Sequence, residues 1–485
     1  MQKGPPRTSP TRRSLLTAAA AAPAAGLLGL RGLHGITAAQ EPGAPVSVYA
    51  SGLYNPRGLT FGPDGALYVV LGGTGEPGQA PSVVKIENGC PVTVAHGLPS
   101  TRGMSGAVQG PGSVAFLGEQ LYILQDSQDD RGDLLSTQPN GVYKLEADGS
   151  ASLLADVSTW MNENPTREIP GDRGKLGETF AMLAGDGFLW VIESNCGQVL
   201  KVGTDGSITR GADLFEGHPV PTSCAAAPDG GLYVGNLTDA PYPQAAARVV
   251  HVKADGSVED VWTGLTMVVA LAVVDGTLYA CEMSTGNLTQ PPFTRPGAGR
   301  IVRQQGPATL REVVSALEFP IGMTAGPDGM LYVSTPALGS DGAAGAVLRI
   351  DPAANYLTPP ANLYDDAACP GFQAARADLL QAFARINAQV SKPAPATSAT
   401  PPANTVEITI KDFKYDPPTI TFDAGRAVSW INRDPVAHTA TATDKSFDSG
   451  NLNQDQTWFT TFDKAGTYEY ICTYHPYMKG TVVVE

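Results

Sequence analysis

The run APDGGLYVGNL, residues 227–237, decides how most of this chain folds, because the phrase at its centre returns five more times. DGALYV occupies 64–69, GEQLYI 118–123, DGFLWV 186–191, DGGLYV 229–234, DGTLYA 275–280 and DGMLYV 328–333. Asp-Gly, or an equivalent pair, supplies a tight turn. The alternation that follows puts Leu and Val on one face and the aromatic on the other, as the two-residue period of a strand requires. A unit that recurs at this spacing signals an array.

Outward from each phrase the pattern continues. A strand candidate such as NPRGLTF (55–61) or FPIGMTA (319–325) precedes it, and SVVKI, GVYKL, QVLKV, RVVHV, RIVRQ or AVLRI follows. A fourth strand comes next in five copies, for example VTVAHGL, SLLADV and VEDVWTGL. Four strands per unit is the composition of a propeller blade. The sixth copy runs out after AVLRIDP, whereas the array begins with a surplus strand, VSVYASGL, at 46–53. The surplus strand is therefore expected to complete the last blade and close a six-bladed ring over 45–352, leaving no exposed edge.

Composition agrees with an all-β chain. Of 485 residues, 42% are hydrophobic and 16% charged, with 55 Gly and 40 Pro; such a chain can bury more than one core and is rich in turns. The net charge of −15 makes nucleic acid a poor partner. Residues 1–39 read as an export signal of twin-arginine type: Arg12 and Arg13 precede an apolar, alanine-rich run, with cleavage near Ala39 expected and an uncleaved anchor the alternative. That segment carries five basic residues and no acid, so its removal leaves a still more acidic protein. No other stretch has the ~20 apolar residues of a membrane helix. The expected location is outside the cytoplasm, whether periplasm, cell surface or medium.

After the array, residues 353–391 contain Leu379, Leu380, Phe383 and Ile386 at helical spacing, which predicts one short amphipathic helix packed on the ring. KPAPATSATPPANT, 392–405, is a semi-rigid tether too poor in apolar residues to build a core. From 406 to 485 short strands return: VEITI, TITF, AVSWIN, TWFTTF, GTYEYIC and GTVVVE, the pattern of a small Greek-key β-sandwich.

That last segment carries the chemistry. His438 follows the strand AVSWIN, and CTYHPYM places Cys472, His475 and Met478 on one loop with two residues between successive ligands. Two imidazoles and a thiolate in a plane, with a weak axial thioether, suit a copper ion that alternates between two oxidation states. A closed zinc site would favour a tetrahedral set without a thioether. Nothing resembles paired His-x-His motifs, so oxygen reduction at a copper cluster is not expected.

Residues 406–485 resemble the plastocyanin-like cupredoxins, and CTYHPYM with SWINRDPVAH most resembles amicyanin. The resemblance implies a type 1 copper centre that carries one electron at a time. In it Cys472 is the short thiolate ligand, His438 the buried imidazole, His475 the partly exposed imidazole through which electrons pass, and Met478 the axial ligand. Asn432, six positions before His438, would join the ligand loops by hydrogen bonds. The sequence departs at Thr439, where amicyanin has Asn. Pro476 and Tyr477 beside His475 would offer an apolar patch to a redox partner.

The ring resembles the ScyD/ScyE family in GLYNPRGLTFGPDGALYVV, NGVYKLEADGS, GHPVPTSCAAAPDGGLYVGNL and GLTMVVALAVVDGTLYACEMST. The family implies a six-bladed propeller and leaves the activity open. Residues just after the second strands, Asp126, Glu193, Asn195, Asn236 and Glu282, bear oxygens that could hold calcium, or could be solvated turn residues. Arg57 and His218 are further candidates. Two functions compete: an exported electron carrier with the ring as docking scaffold, or a ring that oxidises a small molecule, as a quinoprotein- or lactonase-like enzyme, and feeds electrons to copper. Few ring histidines (His96, His218, His251) favour the first. With Cys472 assigned to the metal, Cys90, Cys196, Cys224, Cys281 and Cys369 remain, and Cys196 with Cys224 is the expected disulfide if any forms.

Overall fold

A computed structural model describes residues 44–75, 81–102, 108–126, 138–166, 177–216, 219–288, 293–337, 342–355, 357–390, 402, 405–411, 413–434, 438–450, 452, 454–472 and 478–485. Six four-stranded antiparallel sheets fill 46–350. The first runs in chain order through Pro56–Phe61, Leu67–Leu71, Ser82–Glu87 and Cys90–Ala95. In the sixth, Gly322–Ala325, Leu331–Thr335 and Gly345–Ile350 are completed by Val46–Leu53 from the other end of the chain, with Val46 opposite Ile350 and Leu53 opposite Gly345. The surplus strand of the sequence thus takes the vacant edge.

The turns repeat for one reason. At Asp64, Asp229 and Asp328 the Oδ1 accepts the N–H two residues on, at 3.1, 3.0 and 3.2 Å. The glycine between takes φ of +74°, +82° and +75°, where a side chain would be strained.

The first strands of successive sheets, Pro56–Phe61, Pro111–Leu117, Thr179–Ala184, Pro221–Ala226, Val268–Val274 and Gly322–Ala325, adjoin in order, and the sixth returns to the first. The sheets therefore form a closed, propeller-like ring. A Cβ on Gly322 would collide with the Arg57 carbonyl, and one on Gly58 would stand 2.7 Å from the Gly112 carbonyl, so glycine permits the close approach of neighbouring strands. Hydroxyls tie sheet to sheet: Ser334 Oγ donates to Arg57 O at 2.6 Å, Thr222 Oγ1 to Val268 O at 2.6 Å, and Met182 N donates to Ser113 Oγ at 3.2 Å. The aromatic of the repeated phrase also bridges sheets, as Tyr68 meets Phe116 and Tyr332 meets Phe61, both with centroids 4.9 Å apart.

Two helices are present among the described residues where one short helix is expected from sequence. Val157–Glu163 starts because the Asp156 carboxylate accepts Thr159 N–H at 2.8 Å, turning the chain helical where SLLADV reads as continuous strand. The second, Phe372–Val390, is 19 residues long. Leu379 and Phe383 enter the core containing Val313, Val314 and Phe319, and Ile386 packs at its margin. Leu380, expected on the same face, is 48% exposed. Arg376 pairs with Glu318 at 2.6 Å and lies over the Tyr364 ring. No helix among the described residues is long and apolar enough to cross a membrane.

The disulfide joins Cys90, on the outer strand of the first sheet, to Cys369 just before the long helix. Cys196 and Cys224 both remain thiols, correcting the sequence expectation. They face different layers: Cys196 packs with Leu124, Val142 and Leu189, whereas Cys224 packs against the cluster of Trp190, Ile192 and Val234.

Residues 406–485 form a two-sheet sandwich. One sheet orders Lys414–Asp416, Val406–Lys411, Arg426–Asn432 and Thr457–Phe462; the other orders Thr419–Phe422, Lys479–Val484, Gly466–Ile471 and Thr441–Ala442. Trp430 is fully buried between them, with the rings of Trp458, Tyr470 and Phe447 at 5.4, 5.4 and 5.5 Å. This aromatic core braces the end of the sandwich that carries His438, Cys472 and Met478.

Candidate metal centre

Three chain segments converge. The strand Arg426–Asn432 turns Val428 and Trp430 into the core and ends on buried Asn432. The chain then passes through Asp434 to His438, which is fixed by a two-way backbone bridge with Leu452: His438 N donates to Leu452 O at 3.0 Å, and Leu452 N to His438 O at 2.8 Å. From the other sheet, Gly466–Ile471 delivers Cys472. The loop after Cys472 is closed at its base by Cys472 N donating to Met478 O at 3.2 Å, immediately before the strand Lys479–Val484.

The side chains meet inside the sandwich. Cys472 Sγ lies 3.7 Å from His438 Nδ1. Cys472 and His438 are fully buried, Met478 is 2% exposed, and Cys472 and Met478 belong to one core cluster. His475, Pro476 and Tyr477 lie outside the described residues. Two donors held at roughly 2.1 and 2.3 Å by one ion, and separated by about 120°, stand about 3.8 Å apart. The spacing of Sγ and Nδ1, 3.7 Å, therefore fits two ligands of one shared metal. A fully buried imidazole is a costly core residue unless its polar atoms are engaged.

Asp434 sets the imidazole for that role. Its Oδ2 lies 2.9 Å from His438 Nε2, and the same oxygen accepts Phe413 N–H at 3.0 Å. A proton on Nε2 donated to the carboxylate leaves Nδ1 as the bare lone pair on the sulfur side. Burial pulls the His438 pKa below the ordinary imidazole value, and the Asp434 charge and hydrogen bond oppose that pull without cancelling it. The neutral ring, the form that binds metal, is thereby favoured. The Phe413 ring meets the imidazole edge-on at 5.4 Å.

Thr439 and Asn432 complete the surroundings. Thr439 N points at Cys472 Sγ from 3.4 Å, an amide aimed at sulfur that would stabilise a thiolate. The Thr439 carbonyl accepts the Tyr415 hydroxyl, and its own hydroxyl accepts from Thr441 Oγ1 at 3.0 Å. Asn432 Nδ2 donates to Leu452 O at 2.8 Å and its Oδ1 accepts Asp434 N–H at 2.9 Å, so it anchors the His438 segment at two points. Sequence reasoning missed Asp434. The signal was an acid four residues before the histidine in INRDPVAH.

The ring candidates have another role. Glu193 accepts Gly177 N–H at 3.2 Å and Cys196 N–H at 2.9 Å, and Glu282 accepts Thr266 N–H while pairing with Arg300. Asn236 Nδ2 donates to Pro219 O at 2.8 Å. Gln125 and Thr335 make the equivalent bond in their sheets, to Pro99 O and Glu318 O. In five of the six sheets, then, the residue ending the second strand clamps the segment that leads into the first. These side chains are buried, as are Asp126 and Asn195, so they are not solvated turns. Among the described residues no three His, Cys, Asp or Glu side chains gather as for a metal. Arg57 lies on the wall of the ring's central cavity, and His218 is outside the described residues.

With this geometry established, similarity to known proteins can be placed on it. Residues 383–484 match the family described as cupredoxin-like domain. Amicyanin of Paracoccus versutus is 34% identical over 109 residues, covering 21% of this chain and 83% of that relative. Amicyanin-alpha of Methylorubrum extorquens is 38% identical over 89 residues, 17% of this chain and 75% of the relative. A solved amicyanin variant described as a Cu(I) form is 34% identical, covers 17% of this chain and 82% of its own, and superposes with a TM-score of 0.16.

Proposed function

The chain belongs to the cupredoxin-like family through its C-terminal domain, with amicyanins as relatives, and we propose that this domain is a type 1 copper centre carrying single electrons. The observation that carries the reading is Cys472 Sγ at 3.7 Å from His438 Nδ1, both buried, with Thr439 N–H directed at the sulfur. His438, Cys472, His475 and Met478 would hold the ion. Copper bound there supplies a reversible one-electron couple.

The chain's own residues do the rest. With Asp434 Oδ2 accepting from His438 Nε2, the ring proton would be held there and the Nδ1 lone pair left to the metal. Thr439 N–H stabilises negative charge on Cys472 Sγ. Trp430, Tyr470 and the bridge to Leu452 fix the framework, so that a change of charge meets little rearrangement. His475 with Pro476 and Tyr477 is the proposed docking point for a redox partner.

We read the ring as a six-bladed propeller of ScyD/ScyE type that serves the copper domain as a binding or docking scaffold. Its support is the closed succession of first strands and the N-terminal strand in the sixth sheet. The twin-arginine pair at Arg12 and Arg13 supports export. A redox titration of the copper-loaded full chain tests the function. One copper per chain and a single one-electron wave are expected; a chain that binds copper yet shows no reversible wave would count against electron transfer.

A further inference from the structure

The first strands of all six sheets enclose one cavity of about 510 Å³, a size that accommodates a small organic molecule. Its walls are kept open by small residues, among them Gly58, Ala115, Ala225, Ala272 and Gly322, drawn from five sheets.

The two ends differ. Neighbouring strands lie start to start, since Gly58 abuts Gly112 and Gly322 abuts Arg57. Arg57, Gln109 and Glu178 stand at or just before these strand starts, and Asp126 joins them because its N–H donates to Gly110 O at 3.3 Å. At the strand ends the lining is Phe61, Phe116, Leu183 and Val273. A polar end and an apolar end call for an amphiphilic occupant.

Two buried atoms at the polar end narrow its chemistry. Among the described residues, Arg57 Nε, a donor, and Gln109 Oε1, an acceptor, have no hydrogen-bond partner. Leaving such groups unsatisfied costs about 1–3 kcal/mol each, and a hydroxyl, which donates and accepts, can satisfy both kinds. Two carboxylates against one guanidinium disfavour an anion, and an ammonium, which has no acceptor, would leave Arg57 Nε unsatisfied.

We propose that the ring binds an uncharged, hydroxyl-bearing aromatic or alicyclic molecule in this cavity, hydroxyl toward Arg57 and Gln109 and apolar body toward Phe61 and Phe116. The site is independent of the copper reading. It is tested by fluorescence titration and equilibrium dialysis of the full chain with 2-naphthol, beside naphthalene, 2-naphthoate and 2-naphthylmethylammonium. Saturable binding of one 2-naphthol per chain is expected, at least about tenfold tighter than either ion. Gln109→Leu should erase the margin of naphthol over naphthalene, and Ala272→Phe, with its fold checked by circular dichroism, should abolish uptake of both. No saturable binding, an ion bound as tightly as naphthol, or unchanged binding by Gln109→Leu would overturn the proposal.

Discussion

Asp434 Oδ2 and His438 Nε2 lie 2.9 Å apart with both side chains almost entirely withdrawn from water, 6% and 0% exposed. A buried carboxylate against an imidazole does two things at once: it fixes the tautomer and makes the opposite nitrogen more basic. Asp434→Asn keeps an oxygen for the Nε2 proton but removes the charge. Copper affinity of the full chain, read by competition with a chelator of known strength, should fall by about 10- to 100-fold. Unchanged affinity would mean that the carboxylate only fills space.

Glu193 should make the ring's stability depend on pH. Burial raises its pKa from the ordinary 4.5 to about 7, against the opposing pull of the Cys196 and Gly177 amides. The folded state therefore holds a proton that the unfolded chain releases between these values, so the contribution is full below pH 4.5 and lost as pH rises through about 7. Glu193→Gln should remove this slope, a difference on the order of 3 kcal/mol across the window. Denaturation midpoints at several pH values check it; parallel profiles for both proteins would contradict it.

The Cys90 and Cys369 bridge ties the tail to the first sheet across 279 residues. Replacing both with Ala should lower the stability of the ring by about 2–4 kcal/mol in denaturant unfolding. A variant as stable as the parent would show that Leu379, Phe383 and the Arg376 to Glu318 pair hold the helix unaided.

Much of this was legible in the chain because the repeated unit is local. Asp-Gly turns and two-residue alternation are properties of adjacent residues, and a missing strand in the sixth copy pointed directly to the surplus at Val46–Leu53. Contacts between distant residues were not legible in the same way. Cys90 and Cys369 are brought together only by closure of the first sheet and the return of the tail, whereas Cys196 and Cys224, nearer in sequence, face different sheets. Glu193 and Glu282 read as oxygen donors for a cation because sequence does not show that backbone amides already satisfy them. His438, Cys472 and Met478 were recognisable as a set from residue type and spacing, but Asp434 was not, since its value depends on being buried with Nε2 in reach.

The most direct test is the visible absorption spectrum of the copper-loaded full chain beside Cys472→Ser, with copper content measured in both. An intense thiolate-to-copper band is expected in the parent and none in the serine variant, because that transition needs the sulfur. A parent that binds cupric ion without the band, or a serine variant that keeps it, would contradict the assignment of Cys472 as the ligand on which the centre is built.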